Sequence, residues 1–322
     1  MSSFAPIAAL AAAMCFNTAA FAQGDSLDPP GQELPSSEPE YTILFASDHQ
    51  SRGRDLFRVV TTGSAPEKVS KHVGGGHYPH HNWPASAPGG DWIAYMSDTD
   101  GHDDYAIWIA RPDGSETQRV TPPGREGLYP SWSSDGTRLA FMGRTSDGWQ
   151  LFIVNRDGSG LRQISAFTKA SGPSWGGGST WVPGENAIVF DSNSSGTWSL
   201  YRVELGTDEV TPLGGEPVPG RRPSFSPDGR HLAFVSTRDG GNRIWVSAPD
   251  GSDARSLEVY SANHSTPTWS PDGKRIAFAA MTDENGLDLF TVVVDGGEGK
   301  YEEVFSSPGY EAFPCWVRTG FD

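Results

Sequence analysis

The sequence has little positive charge, only two cysteines and no apolar run long enough to cross a membrane. Lysine and arginine number 24 against 40 aspartate and glutamate residues, which gives a formal net charge of −16. A surface of this charge repels phosphate backbones, so we expect no nucleic-acid partner. The cysteines are Cys15 and Cys315. Loss of an N-terminal segment would leave only one of them, which excludes an intramolecular disulfide.

The N-terminal segment has the pattern of an export signal. Residues 1–22 carry no charged side chain and end in Ala20-Phe21-Ala22. This A-x-A pattern after a short apolar run predicts a signal peptide with cleavage before Gln23. The run is too short for a transmembrane anchor. Residues 23–40 are proline-rich and acidic and predict a disordered leader. We therefore expect a periplasmic or secreted monomer whose folded domain spans residues 41–322.

One unit recurs from Tyr41 onward. Its clearest copies run from Pro130 to Phe141, from Pro223 to Phe234 and from Pro267 to Phe278. In each copy a turn of the Ser-Pro-Asp-Gly type joins a short strand to an apolar strand such as Leu-Ala-Phe. An apolar strand without a polar face is typical of a strand packed between two sheets. A third strand follows, with predicted aromatic positions at Phe57, Trp108, Phe152, Tyr201, Trp245 and Phe290.

The spacing of the units predicts the fold. First-strand aromatics are assigned to Trp83, Trp132, Trp181, Phe225, Trp269 and Trp316, which lie 49, 49, 44, 44 and 47 residues apart. Four strands in such a length make one propeller blade. The chain enters with a second strand and finishes with a first strand. We therefore predict an all-β, six-bladed β-propeller, closed by pairing of the C-terminal strand with the N-terminal blade.

The unit Pro-Ser-Trp-Ser-Pro-Asp-Gly-x-x-Ile-Ala-Phe resembles the WD40-like PD40 repeat of the TolB-like propellers over about Tyr41 to Trp316. The resemblance implies a periplasmic protein with an envelope partner. The repeat is also similar to the propeller of prolyl-oligopeptidase-type peptidases, but their α/β-hydrolase domain is absent here, so we expect no peptidase activity. A third similarity, to oligogalacturonate lyase, implies pore-side side chains that hold a divalent metal.

The residues before each first strand are expected to cross between blades at one rim of the central channel. The residues predicted to face the channel there are His80, Tyr129, Gly178, Arg222, Thr266 and Phe313. Arg221 and His264 lie one or two positions further back, and a glycine-rich insertion adds Trp175. We predict that His80, Tyr129, Trp175, Arg221 and Arg222 bind a ligand. An aromatic side chain at this rim could stack on a sugar or on a partner side chain.

Histidines concentrate at the same rim. The imidazole of His80 with that of His77 or His264 could hold one divalent transition-metal ion such as Mn, Zn, Ni or Cu, with an Asp or Glu of a neighbouring loop completing the shell. Their spacing matches no established metal motif, and a histidine-rich surface loop explains it without a metal. Two functions therefore stay open. The preferred one is a module that binds an envelope protein or glycan, and the alternative is a metal-dependent lyase acting on a uronic-acid polysaccharide.

Overall fold

The computed structural model describes residues 41–48, 53–61, 65–70, 79–100, 104–164, 178–257, 264–282, 286–294 and 301–317. They form six antiparallel sheets, as the repeat predicts. The predicted signal peptide and leader, residues 1–40, lie outside the described residues. Within these ranges no helix has the length and apolar character of a membrane span.

Blades 1 to 3 each contain four strands, which follow one another from the channel outwards. Blade 1 consists of β25 (Ala312–Val317), β1 (Thr42–Ser47), β2 (Asp55–Val60) and β3 (Glu67–Lys68). Blade 2 consists of β4 (His81–Ser86), β5 (Ile93–Ser97), β6 (Ala106–Ala110) and β7 (Gln118–Arg119). Blade 3 consists of β8 (Gly127–Trp132), β9 (Arg138–Thr145), β10 (Gly148–Asn155) and β11 (Arg162–Gln163).

Blades 4 to 6 repeat this arrangement. Blade 4 consists of β12 (Ser179–Trp181), β13 (Ala187–Ser192), β14 (Ser199–Glu204) and β15 (Glu209–Pro212), followed by a 3-10 turn (Leu213–Gly215) and a short β16 (Val218–Pro219) that also pairs with β14. Blade 5 consists of β17 (Arg221–Phe225), β18 (Leu232–Ser236), β19 (Arg243–Ser247) and β20 (Arg255–Ser256). Blade 6 consists of β21 (His264–Trp269), β22 (Arg275–Thr282), β23 (Gly286–Val293) and β24 (Tyr301–Phe305).

The six first strands form a closed ring. Each contacts the next in the order β25, β4, β8, β12, β17, β21 and back to β25. The predicted closure is confirmed, because β25 pairs antiparallel with β1, with Val317 opposite Thr42 and Trp316 opposite Ile43. The ring therefore has a first strand in each of its six blades, and the pairing covers the edge that β1 would otherwise expose.

The predicted third-strand aromatics are confirmed in register. Each lies directly opposite an aromatic of the second strand; the pairs are Phe45–Phe57, Tyr95–Trp108, Phe141–Phe152, Phe190–Tyr201, Phe234–Trp245 and Phe278–Phe290. The ring centroids of Phe141 and Phe152 are 5.6 Å apart. Such pairs contribute about 0.5–1.5 kcal/mol beyond the burial of their area. The second-strand aromatic of every pair is buried, so the pairs contribute to the core between blades.

First-strand tryptophans tie four of the blades to the blade before them. The indole Nε1 of Trp132 donates to the carbonyl of Ala85, that of Trp181 to Ser131, that of Trp269 to Ser224 and that of Trp316 to Thr268, at 3.0–3.2 Å. These acceptors lie on the first strand of the preceding blade. Blades 5 and 2 have no such bond, because Phe225 and Ser86 occupy the equivalent position.

We expect Trp269→Phe to lower the free energy of unfolding more than Trp245→Phe does, by about 1 kcal/mol. Both indoles are buried, at 6% and 8% exposure. Trp269 donates to Ser224, whereas the Trp245 Nε1 has no hydrogen-bond partner among the described residues. Both changes remove the same volume, so the difference isolates the bond between blades. Denaturant unfolding of the two variants measures it, and equal losses would contradict a stabilising role for the indole bonds.

Candidate functional site

A ring of six equivalent residues surrounds the channel, and we call it the constriction ring. Each member lies three residues before the first-strand position that Trp132 occupies in blade 3 and its equivalents occupy in the other blades. The members of the constriction ring are Trp83, Tyr129, Gly178, Arg222, Thr266 and Phe313. All but Gly178 have a left-handed backbone, with φ between 49° and 57°. Non-glycine residues adopt this conformation rarely and at a cost of about 1 kcal/mol or more each. Its recurrence in five blades indicates a local feature of the fold that enforces it.

A β-bulge enforces this conformation. In blade 3, Leu128 pairs with Met142 and Ser131 pairs with Ala140, so that Tyr129 and Pro130 together oppose a single residue. The same shift occurs in blades 1, 2, 5 and 6. Proline follows the ring residue in each of these five blades and has no N–H to place in the ladder. An inserted residue with positive φ is a known form of β-bulge.

The bulge corrects the register predicted for blade 2. Ser86 pairs with Ile93, as Trp132 pairs with Leu139, so Ser86 and not Trp83 occupies the inner-strand position of the tryptophans. Trp83 is the ring residue of this blade, and the assignment of His80 to the ring was wrong. The prediction aligned Trp83 with the first-strand tryptophans of other blades because all of them are aromatic. The register instead depends on the number of residues between this position and the apolar second strand. Pro84 after Trp83 was the sequence signal that could have identified the ring residue.

The ring side chains pack across the channel. The Trp83 ring lies 4.0 Å from Phe313 and 4.4 Å from Tyr129, centroid to centroid, and these three residues come from adjacent blades. Arg222 belongs to blade 5, on the opposite side of the ring, and its guanidinium carbon lies 5.3 Å from the Trp83 ring centroid. A cation over an indole face is attracted by the negative charge of the π system. Trp83, Arg222 and Phe313 thus form a cation–aromatic constriction across the channel.

A buried carboxylate fixes the backbone beneath Arg222. Asp191 is 4% exposed, and its Oδ1 and Oδ2 accept the backbone N–H groups of Gly178 and Arg222, each at 2.8 Å. Equivalent positions in the other blades hold Ala46, Met96, Met142, Val235 and Ala279. A Cβ on Gly178 would lie 3.3 Å from the Arg222 Cα, so a glycine suits this close approach. Asp191 therefore joins the ring positions of blades 4 and 5.

Burial controls the ionisation of these groups. It raises the pKa of Asp191 to about 7, against the lowering effect of the two backbone amides and the neighbouring arginines. Burial and the adjacent Arg221 lower the pKa of Arg222. Burial also raises the pKa of Tyr129 to about 12, so its hydroxyl stays protonated at neutral pH. The charge of the constriction at neutral pH is therefore carried by arginine.

The constriction separates two cavities. The turn-side cavity, of about 490 Å³, extends along the first strands toward their Ser-Pro-Asp-Gly-type turns. The crossing-side cavity, of about 280 Å³, opens toward the rim where the chain crosses between blades. Trp83, Arg222 and Phe313 line both. Of the described residues that line the turn-side cavity, Arg222 is the only charged one.

The crossing-side cavity brings together two of the predicted ligand-binding residues and one predicted metal ligand. Arg221, Arg222 and His264 line it, together with Tyr310. The Arg221 Nη2 donates to the Asn242 side-chain oxygen at 3.2 Å, which holds the guanidinium at the wall of the cavity. His264 is 2% exposed and its ring lies 5.3 Å from that of Phe278. Tyr129, in contrast, lines the turn-side cavity.

The family model described as the TolB beta propeller domain matches residues 93–320. This chain belongs to the TolB β-propeller family. It is 31% identical over 209 residues to a protein TolB homolog of Chlorobium luteolum, covering 64% of this chain and 45% of that protein. It is 28% identical over 151 residues to the Tol-Pal system protein TolB of Bordetella pertussis, covering 47% and 33%. The chain thus spans less than half the length of these curated relatives.

Solved structures agree on the fold. The crystal structure of TolB from Acinetobacter baumannii superposes with a TM-score of 0.71 at 20% identity, covering 86% of this chain and 66% of that one. A likeness at this identity supports the propeller architecture and leaves the ligand open. The function of this TolB-family propeller must therefore be argued from its own residues.

The histidines of this TolB-family chain are only partly brought together. His80 is half-buried, and its backbone N–H donates to the Asp98 Oδ1 at 2.6 Å. It lies at the start of blade 2, whereas His264 lies in blade 6, with blade 1 between them. Among the described ranges no group of three or more His, Cys, Asp or Glu side chains is placed to hold a metal ion. His77 lies outside those ranges, so the metal site stays a prediction.

Trp175 also lies outside the described residues, so its ligand contact stays a prediction. It falls within Gly172-Pro173-Ser174-Trp175-Gly176, which matches the G-x-S-x-G pattern of serine hydrolases. The functional form of that pattern is a turn between a buried strand and a helix. Here it stands between the outer strand β11 and the inner strand β12. The match therefore does not predict a nucleophile.

Asp191 makes the stability depend on pH. Because its pKa is higher in the folded chain than in the unfolded one, the folded state binds more protons between pH values of about 4 and 7. The contribution of Asp191 to stability is therefore fully present below a pH of about 4 and is lost as the pH rises from about 4 to about 7. We expect the stability difference between wild type and Asp191→Asn to shrink over this interval, by at most about 1.4 kcal/mol per pH unit.

Asp135→Asn provides the control. Hydrogen bonds from Ser133 and Thr137 lower the pKa of Asp135 to about 2, so its contribution is lost only as the pH falls from about 4 toward 2. Denaturant unfolding from pH 3 to pH 8 measures both variants. A difference between wild type and Asp191→Asn that stays constant from pH 4 to pH 7 would contradict the raised pKa.

Proposed function

We propose that this chain is an exported TolB-family propeller that binds an acidic group of an envelope protein or glycan at its crossing-side cavity. The observation that carries the proposal is the pair Arg221 and Arg222 lining one cavity in a chain of net charge −16. Arginine presents a planar set of donors that matches a carboxylate. The crossing-side cavity therefore offers positive charge to an acidic group, which the net negative charge of the chain would otherwise repel.

The contacts of the Arg221 side chain indicate a positioned binding group and not a mobile surface arginine. Its guanidinium lies 5.7 Å from the Trp198 ring and donates to Asn242. A guanidinium held by a ring and an amide loses less conformational freedom when it binds a ligand. Arg54 extends the cationic surface, because its guanidinium carbon lies 4.5 Å above the ring of Tyr310, which itself lines the cavity.

The proposal includes export of the chain to the cell envelope. The uncharged N-terminal segment with its A-x-A end supports export, and the name of the Bordetella relative associates that protein with the Tol-Pal system. An envelope partner suits both observations. Mass spectrometry of the N-terminus after expression with export tests this part, since cleavage should occur before Gln23.

Charge reversal at the cavity tests the binding site. We expect Arg221→Glu to weaken binding to an acidic envelope ligand at least about tenfold, because it replaces a charge-assisted bond by repulsion. The ligands to titrate calorimetrically are the soluble domain of the peptidoglycan-associated lipoprotein of the same organism and polygalacturonate. Arg230→Glu makes the same charge change on a side chain that is 83% exposed, in the turn at the opposite end of blade 5.

The control should bind as the wild type does. Equal loss in both variants would show a general charge effect, and unchanged binding by Arg221→Glu would overturn the crossing-side site. Binding of the lipoprotein domain but not of polygalacturonate would assign the partner as a protein, and the reverse would assign it as a glycan.

A further inference from the structure

The turn-side cavity is a second site that the proposed function does not use. Its volume of about 490 Å³ falls within the range of roughly 300–1,000 Å³ typical of pockets for small ligands. Its lining includes 31 residues of the described chain, and none of them is aspartate or glutamate. In a protein with 40 acidic residues, a described lining that holds one arginine and no acid favours an anionic ligand.

The walls of this cavity are apolar and hydroxylated. Prolines after the ring residues, such as Pro130 and Pro223, have no N–H and present ring carbons. The position before each inner-strand aromatic is half-exposed to the channel and carries a hydroxyl in four blades, at Ser131, Thr180, Ser224 and Thr268. Such walls suit a neutral ligand body that is flat or bears hydroxyl groups.

The floor of this cavity is a preorganised cation. The backbone of Arg222 is fixed by Asp191, and its guanidinium is held over the Trp83 ring. Both Asp191 oxygens accept backbone N–H groups, of Gly178 and of Arg222 itself. A half-buried guanidinium such as that of Arg222 forms a stronger bond with a carboxylate than a fully exposed arginine does.

We propose that the turn-side cavity binds a small organic monocarboxylate, whose carboxylate pairs with Arg222 and whose neutral body lies between the prolines and the ring of Ser and Thr hydroxyls. Because the described lining holds a single cation, Arg222, we expect the ligand to carry a single negative charge. The described walls, which hold no aspartate or glutamate, accept an aromatic or a hydroxylated body. This site is distinct from the crossing-side surface, which Arg221 lines and the turn-side cavity does not include.

Calorimetric titration of the full exported chain tests the proposal. The probes are benzoate and D-glucuronate, with benzyl alcohol and D-glucose as their neutral counterparts. We expect at least one carboxylate to bind at millimolar concentration and its neutral counterpart to bind at least about tenfold more weakly. Absence of saturation by both carboxylates, or equal binding of the neutral compounds, would overturn the proposal.

Three variants locate the site. Arg222→Gln should weaken carboxylate binding about tenfold or more, whereas Arg221→Gln, which alters only the crossing-side cavity, should change it less than about twofold. Ser224→Leu keeps Arg222 and fills part of the cavity, so it should abolish binding while the protein melts as the wild type does. An equal effect of Arg221→Gln and Arg222→Gln, or full binding by Ser224→Leu, would place the carboxylate elsewhere.

These outcomes are separable from the proposed function. Loss of the macromolecular ligand in Arg221→Glu with intact monocarboxylate binding would support both sites. Binding of the monocarboxylate but of neither macromolecular ligand would support the turn-side site and overturn the crossing-side site. Binding of a macromolecular ligand but of no monocarboxylate would support the crossing-side site and overturn the turn-side site.

Discussion

The antiparallel pairing of β25 with β1 is the constraint on which the channel depends. It supplies the first strand of blade 1 and brings Trp316 against Tyr41, with ring centroids 5.5 Å apart. The Trp316 indole then reaches the Thr268 carbonyl of blade 6. Without this strand the inner ring would have a gap between β21 and β4, and neither cavity would have a complete wall. Closure is therefore a condition for the site as well as for stability.

The β-bulge at the start of the first strand in five blades converts this ring into a constriction. A regular strand alternates its side chains between two faces, and an inserted residue with positive φ re-aims one of them. In this protein the insertion brings Trp83, Tyr129 and Phe313 into contact at the channel. The backbone strain of five such residues is spread over separate blades, each of which is held by its own sheet. The fold can therefore maintain a costly conformation at the place where ligands would enter.

The sequence predicts the repeat better than it predicts the site. Blade number, closure and the six third-strand aromatic positions follow from spacing, because they depend on contacts within one unit or between identical units. The ring position of blade 2 was wrong because the bulge separates residue type from register. Asp191 was missed because its role depends on two backbone amides from different blades, Gly178 and Arg222. The one available signal was an acid, in Phe190-Asp191, where the other apolar strands continue with Ala, Val or Met.

The effect of Asp191 follows from the positive charges of the two arginines near it. Two adjacent arginines near the channel axis repel each other, and burial disfavours the charge of Arg222 further. Asp191 opposes both effects by its own charge and by fixing the Arg222 backbone, yet it takes no part in lining either cavity. The carboxylate thus fixes the backbone of Arg222, whose side chain lines both cavities. Because Arg222 lines both cavities, a carboxylate ligand bound from one side would reduce the positive potential available on the other. The two proposed sites are therefore coupled through one side chain, and the constriction is the element that transmits the effect.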